Sequence, residues 1–596
     1  MSITSETSSV KMGPIEAISR GLSSAIAAAL GEDYRDIDLQ IRPSQDPKFG
    51  DYQANFAMKL AKQMGSNPRE LASKVADAAA EELAAIAKPL EVAGPGFINI
   101  RLKNEAIAQM LVAMHNPALG VTKLKDSHTV VIDMCSVNVA KQMHVGHLRS
   151  TIIGDALARI LERVGRTVLR ENHLGDWGLP IAMVLHELKE TNTNLDTLKL
   201  PELDNVYRKA QQKAKDDDAF LEAAKTTLVS LQNSDAQLVK DWHKLINCTL
   251  TALYEALEIL NVKLGEENNR GESYYRDKLP GVVEAFTKAK LAKEDDGAMV
   301  VPFETRERPL LIQKSDGGYL YATTDLAAIK LRTSESNANR IIYVVDARQR
   351  DHFRDVFDAA KLIGWDKTPD SARAELWHIP FGSVLGKDKR PLKTRSGENV
   401  TLRSLLDEAC ERGQTEVKKR AADPKAPTHG LSEAELKEIG TAVGIGAIKY
   451  ADLSNDLVRD YVFDMDRMVT FEGKTGPYLQ YAHARICSIF AKAGIDGDAL
   501  CSEQFAINEP AERQLALALL RYPDIVIDVA RTLEPHRLCT YLYELADAYS
   551  SFYEQCPVLK AETESIKRSR LKLCHLARNV LNDGLDLLGI KAPTRM

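Results

Sequence analysis

Thr129-Val130-Val131-Ile132-Asp133-Met134, the loop Ser136-Val137-Asn138-Val139-Ala140-Lys141-Gln142-Met143, and then His144-Val145-Gly146-His147 form the stretch on which the fold turns. The first six residues read as a buried strand. After the second histidine, Leu148, Ile152, Ala156, Ile160 and Val164 recur by fours, the spacing of one helix face. Gly165 stops that helix, Thr167-Val168-Leu169 reads as the next strand, and His173-Leu174-Gly175-Asp176-Trp177-Gly178 closes the unit. Strand, loop, helix and strand in this order make a βαβ crossover, so the two strands should be parallel. The crevice beyond their carboxyl ends is where such sheets bind nucleotides.

The residues at the strand-to-helix turn suit a nucleoside triphosphate. Gly146 allows backbone to approach a ligand closely, and a helix starting there offers free N–H groups and a positive dipole end to phosphate. His144 and His147 can donate hydrogen bonds to charge developing on phosphate oxygens without adding a competing nucleophile. A pair of capping histidines is the plainer alternative. A metal pair is disfavoured, because no His/Cys cluster at ligand spacing lies nearby and Cys135 stands alone.

Working outward, 596 residues are too many for one core and call for several domains. A hydrophobic content of 44% and a charged content of 27% are ordinary for a globular protein. No apolar run is long enough for a membrane helix, and residues 1–13 lack a signal-peptide core. The eight cysteines have no paired spacing, which points to reduced thiols in the cytoplasm. A net charge of -6 neither advertises nor excludes nucleic acid, because binding needs a local basic surface and not a basic total.

Residues 1–125 read as a separate α+β unit. It has helices over Ile15–Leu30, Ala54–Gln63 and from the Asn67-Pro68 cap to Ile86, and strands at Ile37–Ile41, Leu90–Ala93 and Phe97–Leu102. From about 190 to 275 a helical insertion interrupts the nucleotide-binding sheet, and its charged run Lys213–Asp218 reads as a solvated face. The sheet resumes near Gly297, with strands expected at Ala298–Val301, Leu310–Gln313, Ile341–Val345 and Trp377–Gly382 and a helix from Leu326 to Leu331. Next, Gly386 to Gly397 carries Lys387, Lys389, Arg390, Lys393 and Arg395 between glycines, a mobile loop able to close over a polyphosphate or, alternatively, a basic surface loop contacting nucleic acid. Helical stripes at Leu431–Tyr450, Lys474–Ala493, Glu512–Leu533, Pro535–Cys556 and Glu562–Leu588 make a bundle with no acid/base cluster. The fold class is therefore multidomain, with an α/β doubly wound (Rossmann-type) catalytic domain at 126–452, an N-terminal α+β domain at 1–125 and a C-terminal all-α domain at 453–596.

Asn138-Val139-Ala140-Lys141-Gln142-Met143-His144-Val145-Gly146-His147-Leu148-Arg149-Ser150, with Leu174-Gly175-Asp176-Trp177-Gly178, resembles arginyl-tRNA synthetase, a class I aminoacyl-tRNA synthetase. His-x-Gly-His is generic to class I, whereas the flanking residues are particular to the arginine enzyme. Val137 and Gln142 stand where the family usually, or often, has proline, so the stiffening that proline gives a loop is missing. Arg390-Pro391-Leu392-Lys393-Thr394 resembles a degenerate Lys-Met-Ser-Lys-Ser loop, with Lys393 as the lysine that holds the transition-state phosphates. The resemblance extends through Phe471–Arg485 to the C-terminal Met596.

The resemblance implies that ATP and L-arginine form arginyl-adenylate, whose arginyl group then passes to the terminal ribose of tRNA. His144, His147, Lys141 and Lys393 would act in catalysis, and His144, Gly146, His147, Arg390 and Lys393 would hold ATP, with Mg²⁺ neutralising the triphosphate. For arginine it assigns Asp133, Asn138, Tyr321, Asp325 and Gln349; a helix N-cap is the plainer reading of Asp325. For tRNA it assigns Phe97 and Asn99 in the N-terminal domain, and Tyr478, Gln480, Tyr481 and Arg485 mix the stacking and hydrogen-bonding groups that RNA loops require. A monomer that binds no membrane is expected. Two rivals stay open: another class I synthetase, glutamyl or cysteinyl, and a catalytically silent tRNA-binding protein.

Overall fold

In the computed structural model, residues 13–124, 126, 128–390, 392 and 400–596 are described. The catalytic sheet runs Glu375–Phe381, Ala338–Asp346, Thr129–Asp133, Thr167–Glu171, every neighbour parallel. Its central strands bury both faces, and their side chains sort by the two-residue period of a strand. Ile132, Ile342 and Val344 join the core beneath the helix Val145–Arg163, while Val131, Ile341 and Tyr343 join that beneath the helices Tyr321–Ser334 and Arg350–Ile363. With helices on both faces, the carboxyl ends of the strands are left as the open edge.

The strands Ala298–Phe303 and Arg306–Gln313 do not extend this sheet. With Lys293–Asp295 they form a separate three-stranded antiparallel sheet, because the short turn between them permits only a hairpin. The parallel sheet resumes only at Ala338. The insertion contains the helices Leu200–Asp216, Asp218–Gln232 and Ala236–Ile259. Its core is continuous with the catalytic domain, since Leu203, Tyr207 and Leu245 cluster with Val139, Ala140 and Ile181. In the charged run, Lys213 is paired with Glu187 and Glu190.

The N-terminal unit is a four-stranded antiparallel sheet, ordered Arg42–Pro43, Tyr52–Ala54, Phe97–Ile100, Glu91–Ala93, covered by helices. The strand expected at Ile37–Ile41 does not form: Gln40 turns to φ 51°, breaking the extended run. Ala54 ends a strand, and the helix expected from it begins at Ala57. At the other end of the chain, the stripe expected to run from Glu512 to Leu533 splits into Pro510–Leu520 and Tyr522–Thr532. Pro523 has no N–H to return to the preceding turn, which ends the first helix. The two ends of the chain meet, as Arg513 pairs with Asp51 at 2.7 Å and His115 bonds His575 at 3.0 Å.

Candidate active site

The helix Val145–Arg163 starts at the carboxyl edge of the sheet with His144 as its N-cap. His144 Nδ1 accepts from the Gly146 N–H at 3.0 Å, and His147 Nδ1 accepts from the His144 N–H at 3.1 Å. These bonds leave the proton of each neutral ring on Nε2. Burial lowers both pKa values, helped at His144 by Lys141 and at His147, which falls to about 3, by His144. The pair is thus two neutral N–H donors whose rings stand 4.1 Å apart. A Cβ at Gly146 would lie 2.8 Å from His144 Cε1, so the glycine makes room for the histidine ring as well as for a ligand.

Cys135, Ser136 and Ala140 in the loop before the histidines hold φ of 73°, 53° and 67°, strain of the kind that collects at functional sites. Hydrogen bonds supply the stiffness that proline would have given. The N–H groups of Cys135, Ser136, Val139 and Ala140 bond Ser150 Oγ, Asn172 Oδ1, Gly175 O and Thr249 Oγ1 at 3.0, 3.1, 3.0 and 3.0 Å. Thr249 lies on the insertion helix Ala236–Ile259, and Trp242 of that helix donates to Asp176 O at 2.7 Å. The insertion therefore props up both loops of the site. The Lys141 ammonium lies 4.4 Å from the Tyr207 ring centroid, also on the insertion.

Asp133, Asn138, Tyr321, Asp325 and Gln349 all line one cleft of about 220 Å³ at the carboxyl edge. A Cβ at Gly175 would meet Asn138 Oδ1 at 2.1 Å, so this glycine is what admits the Asn138 amide. The helix begins at Tyr321, not Leu326, which puts Tyr321 and Asp325 one turn apart on one face. Asp325 therefore does not cap the helix. Gln349 ends the short turn before the helix Arg350–Ile363.

Three further groups set the charge of the cleft, and no sequence motif marks them. Arg332 pairs with Asp133 at 2.6 Å and with Glu171 at 2.7 Å, fully buried. Its spacing of seven from Asp325 on the same helix was the one available signal. His352 Nε2 lies 2.6 Å from Asp325 Oδ2; burial opposes its charge, but the Asp325 hydrogen bond and charge outweigh that and raise its pKa. Glu272 also lines the cleft, and burial, then the Asp176 and Asp325 carboxylates, push its pKa up to about 8. Among the described residues no cation pairs with Glu272. With Arg332 set against Asp133 and His352 against Asp325, the carboxyl groups still outnumber the cations, which suits a cationic ligand.

The basic loop begins as a tight turn, Gly386 N–H to Arg390 O at 2.8 Å, with Lys387 paired to Asp464 at 3.0 Å. Lys393 and Arg395 lie outside the described residues. Beyond them the chain returns to the site, where Thr401 bridges His144 and the Leu402 N–H bonds Met143 O at 2.8 Å.

Of the residues assigned to tRNA, Tyr478, Tyr481 and Arg485 share a half-open face of the helix Gly476–Ala493, with the Arg485 guanidinium 4.9 Å from the Tyr481 ring centroid. Gln480 points the other way. It is fully buried and its amide donates to Ala442 O at 2.9 Å and Lys591 O at 2.7 Å, so it pins the C-terminus instead of meeting RNA. Phe97 is half-buried, but Asn99 is buried and accepts from Gln53 at 2.8 Å, which takes it off the open surface.

A parallel α/β sheet with two histidines at the first strand-to-helix turn, an amino-acid-sized cleft beside them and a helical C-terminal bundle defines a class I aminoacyl-tRNA synthetase. Residues 107–465 match the family of class I (R) tRNA synthetase catalytic domains, residues 479–596 the DALR anticodon binding domain and residues 16–102 the arginyl tRNA synthetase N terminal domain. The chain is 44% identical to the arginine–tRNA ligase of Proteus mirabilis, over 98% of this chain and 99% of that one, and 44% identical to that of Thermobifida fusca, over 98% and 100%. In structure it is similar to arginyl-tRNA synthetase of Plasmodium falciparum, with TM-score 0.83, 28% identity and coverage of 98% and 99%, and to that of Thermus thermophilus, with TM-score 0.80, 25% identity and coverage of 98% and 100%. The chain belongs to the arginyl-tRNA synthetase family.

Proposed function

We infer that this chain is an arginine–tRNA ligase that joins L-arginine to tRNA through an arginyl-adenylate made from ATP. The observation that carries the reading is the meeting of Asp133, Asn138, Tyr321, Asp325 and Gln349 in one carboxylate-rich cleft. Guanidinium is planar and always charged, and it presents paired N–H donors that fit a carboxylate. Asp325 and Tyr321 face that group, and Asn138 and Gln349 hold the α-amino and carboxylate ends. Asp133, already neutralised by Arg332, shapes the wall.

ATP lies over Gly146, where the Nε2–H groups of His144 and His147 meet phosphate oxygens and stabilise the charge that develops as pyrophosphate leaves. Lys141, Arg390 and Lys393 add positive charge. Mg²⁺ arrives with the triphosphate as part of the substrate and neutralises it. Among the described residues no group of three His, Cys, Asp or Glu side chains could hold a metal ion of its own.

Residues 1–125 and 453–596, which pack against each other, hold the tRNA beside the catalytic domain at 126–452, with Phe97, Tyr478, Tyr481 and Arg485 as stacking and pairing groups. The protein works as a monomer in the cytoplasm, and no helix among the described residues is long and apolar enough to cross a membrane. Aminoacylation of mixed tRNA with each amino acid in turn tests the reading. Arginine alone should be charged; charging of glutamate or cysteine, or of nothing, would overturn it.

A further inference from the structure

Tyr343 lies in the central strand, in register with Asp133 on the neighbouring strand, so both side chains leave the same face of the sheet beside each other. Its ring is fixed by Phe353 at 4.7 Å and Phe357 at 5.6 Å, with the Arg332 guanidinium 5.0 Å from its centroid. It is 1% exposed, it lines the arginine cleft, and its hydroxyl has no hydrogen-bond partner among the described residues. An unpaired buried hydroxyl costs stability, and phenylalanine would fill the same space without that cost. The hydroxyl therefore waits for a partner from outside the chain.

The chemistry of that partner follows from the neighbours. Asp133 stands beside it in the sheet register and Asp325 lines the same cleft, but neither carboxylate bonds the phenol, so its oxygen is free to accept. A guanidinium offers only donors. Resting on the arginine reading of this cleft, we propose that Tyr343 is a further specificity-determining residue, whose phenol oxygen accepts an N–H of the substrate guanidinium.

The test is Tyr343→Phe, measured by ATP–pyrophosphate exchange with tRNA present, beside Asp325→Asn. A hydrogen bond to a charged group is worth about a 10- to 100-fold rise in KM for arginine when lost. The KM for ATP should stay unchanged, and the arginine-free variant should melt at or above the wild-type temperature, as expected when an unpaired hydroxyl is removed. An arginine KM within twofold of wild type would overturn the proposal, as would a variant that unfolds, since the hydroxyl would then have a structural partner. If Asp325→Asn weakens arginine and Tyr343→Phe does not, only the role of Tyr343 falls. If neither changes arginine, the cleft reading falls with it.

Discussion

Asp325→Asn separates recognition of charge from every other use of this position. The carboxylate is 14% exposed and one of its oxygens is 2.6 Å from His352 Nε2. In the variant the amide oxygen keeps the His352 hydrogen bond, because that ring is the donor. The amide NH₂ then turns into the cleft and meets a guanidinium that has only N–H groups to offer. Attraction is replaced by an opposed pair of donors around an unpaired cation. Removing one partner of a buried ion pair costs about 3–5 kcal/mol. At about 1.4 kcal/mol per tenfold, kcat/KM for arginine should fall by roughly two to nearly four orders of magnitude. The exchange assay, with tRNA present, measures this directly, and the KM for ATP serves as the internal control. Citrulline, uncharged and of nearly the same shape, should be rejected by the wild type and lose little in the variant. Because the helix begins at Tyr321, loss of a cap cannot imitate the effect. A fall of less than tenfold for arginine, or an equal fall for ATP, would refute the reasoning.

Gly175→Ala places a Cβ where the Asn138 amide now lies, 2.1 Å from Oδ1, so the amide must swing away; KM for arginine should rise about tenfold or more, and an unchanged KM would contradict the contact. His147, with its pKa lowered to about 3, should show no titration of its ring resonances between pH 8 and 5, whereas a midpoint near 6.5 would refute the neutral donor pair. Since the unfolded ring protonates near pH 6.5, its stabilising contribution is present above that pH and is lost as the pH falls towards 3. Glu272 has the opposite sign: the folded state prefers its protonated form, so its cost is absent below about pH 4.5, grows up to about 8 and is constant above. The melting temperature of Glu272→Gln, relative to wild type, should therefore rise from pH 4.5 to 8; a difference independent of pH would show that the carboxyl is not held protonated.

Much of this was legible in the chain itself, wherever chemistry and period are local. The βαβ unit was plain because Thr129–Asp133 and Val145–Arg163 each carry their own period, and a helical crossover from Thr129–Asp133 to Thr167–Glu171 permits only parallel pairing. The two histidines and Gly146 could be placed because the turn that uses them is four residues long. Tyr321 and Asp325 were found through the family resemblance, but their shared face follows from the helix that holds both. What the tertiary structure alone decided is pairing between distant segments. Alternation could not show that Ala298–Phe303 belongs to a separate sheet, because strand partners are not written in a strand's own period. Gln480 looked as open as Tyr481, and only packing against Ala442 and Lys591 buried it. The balance of charge in the cleft rests on Arg332 against Asp133, His352 against Asp325 and an unpaired Glu272, partners separated by 199 and 27 residues in the first two cases. Ionisation depends on distance and desolvation, which exist only once the chain has brought those groups together.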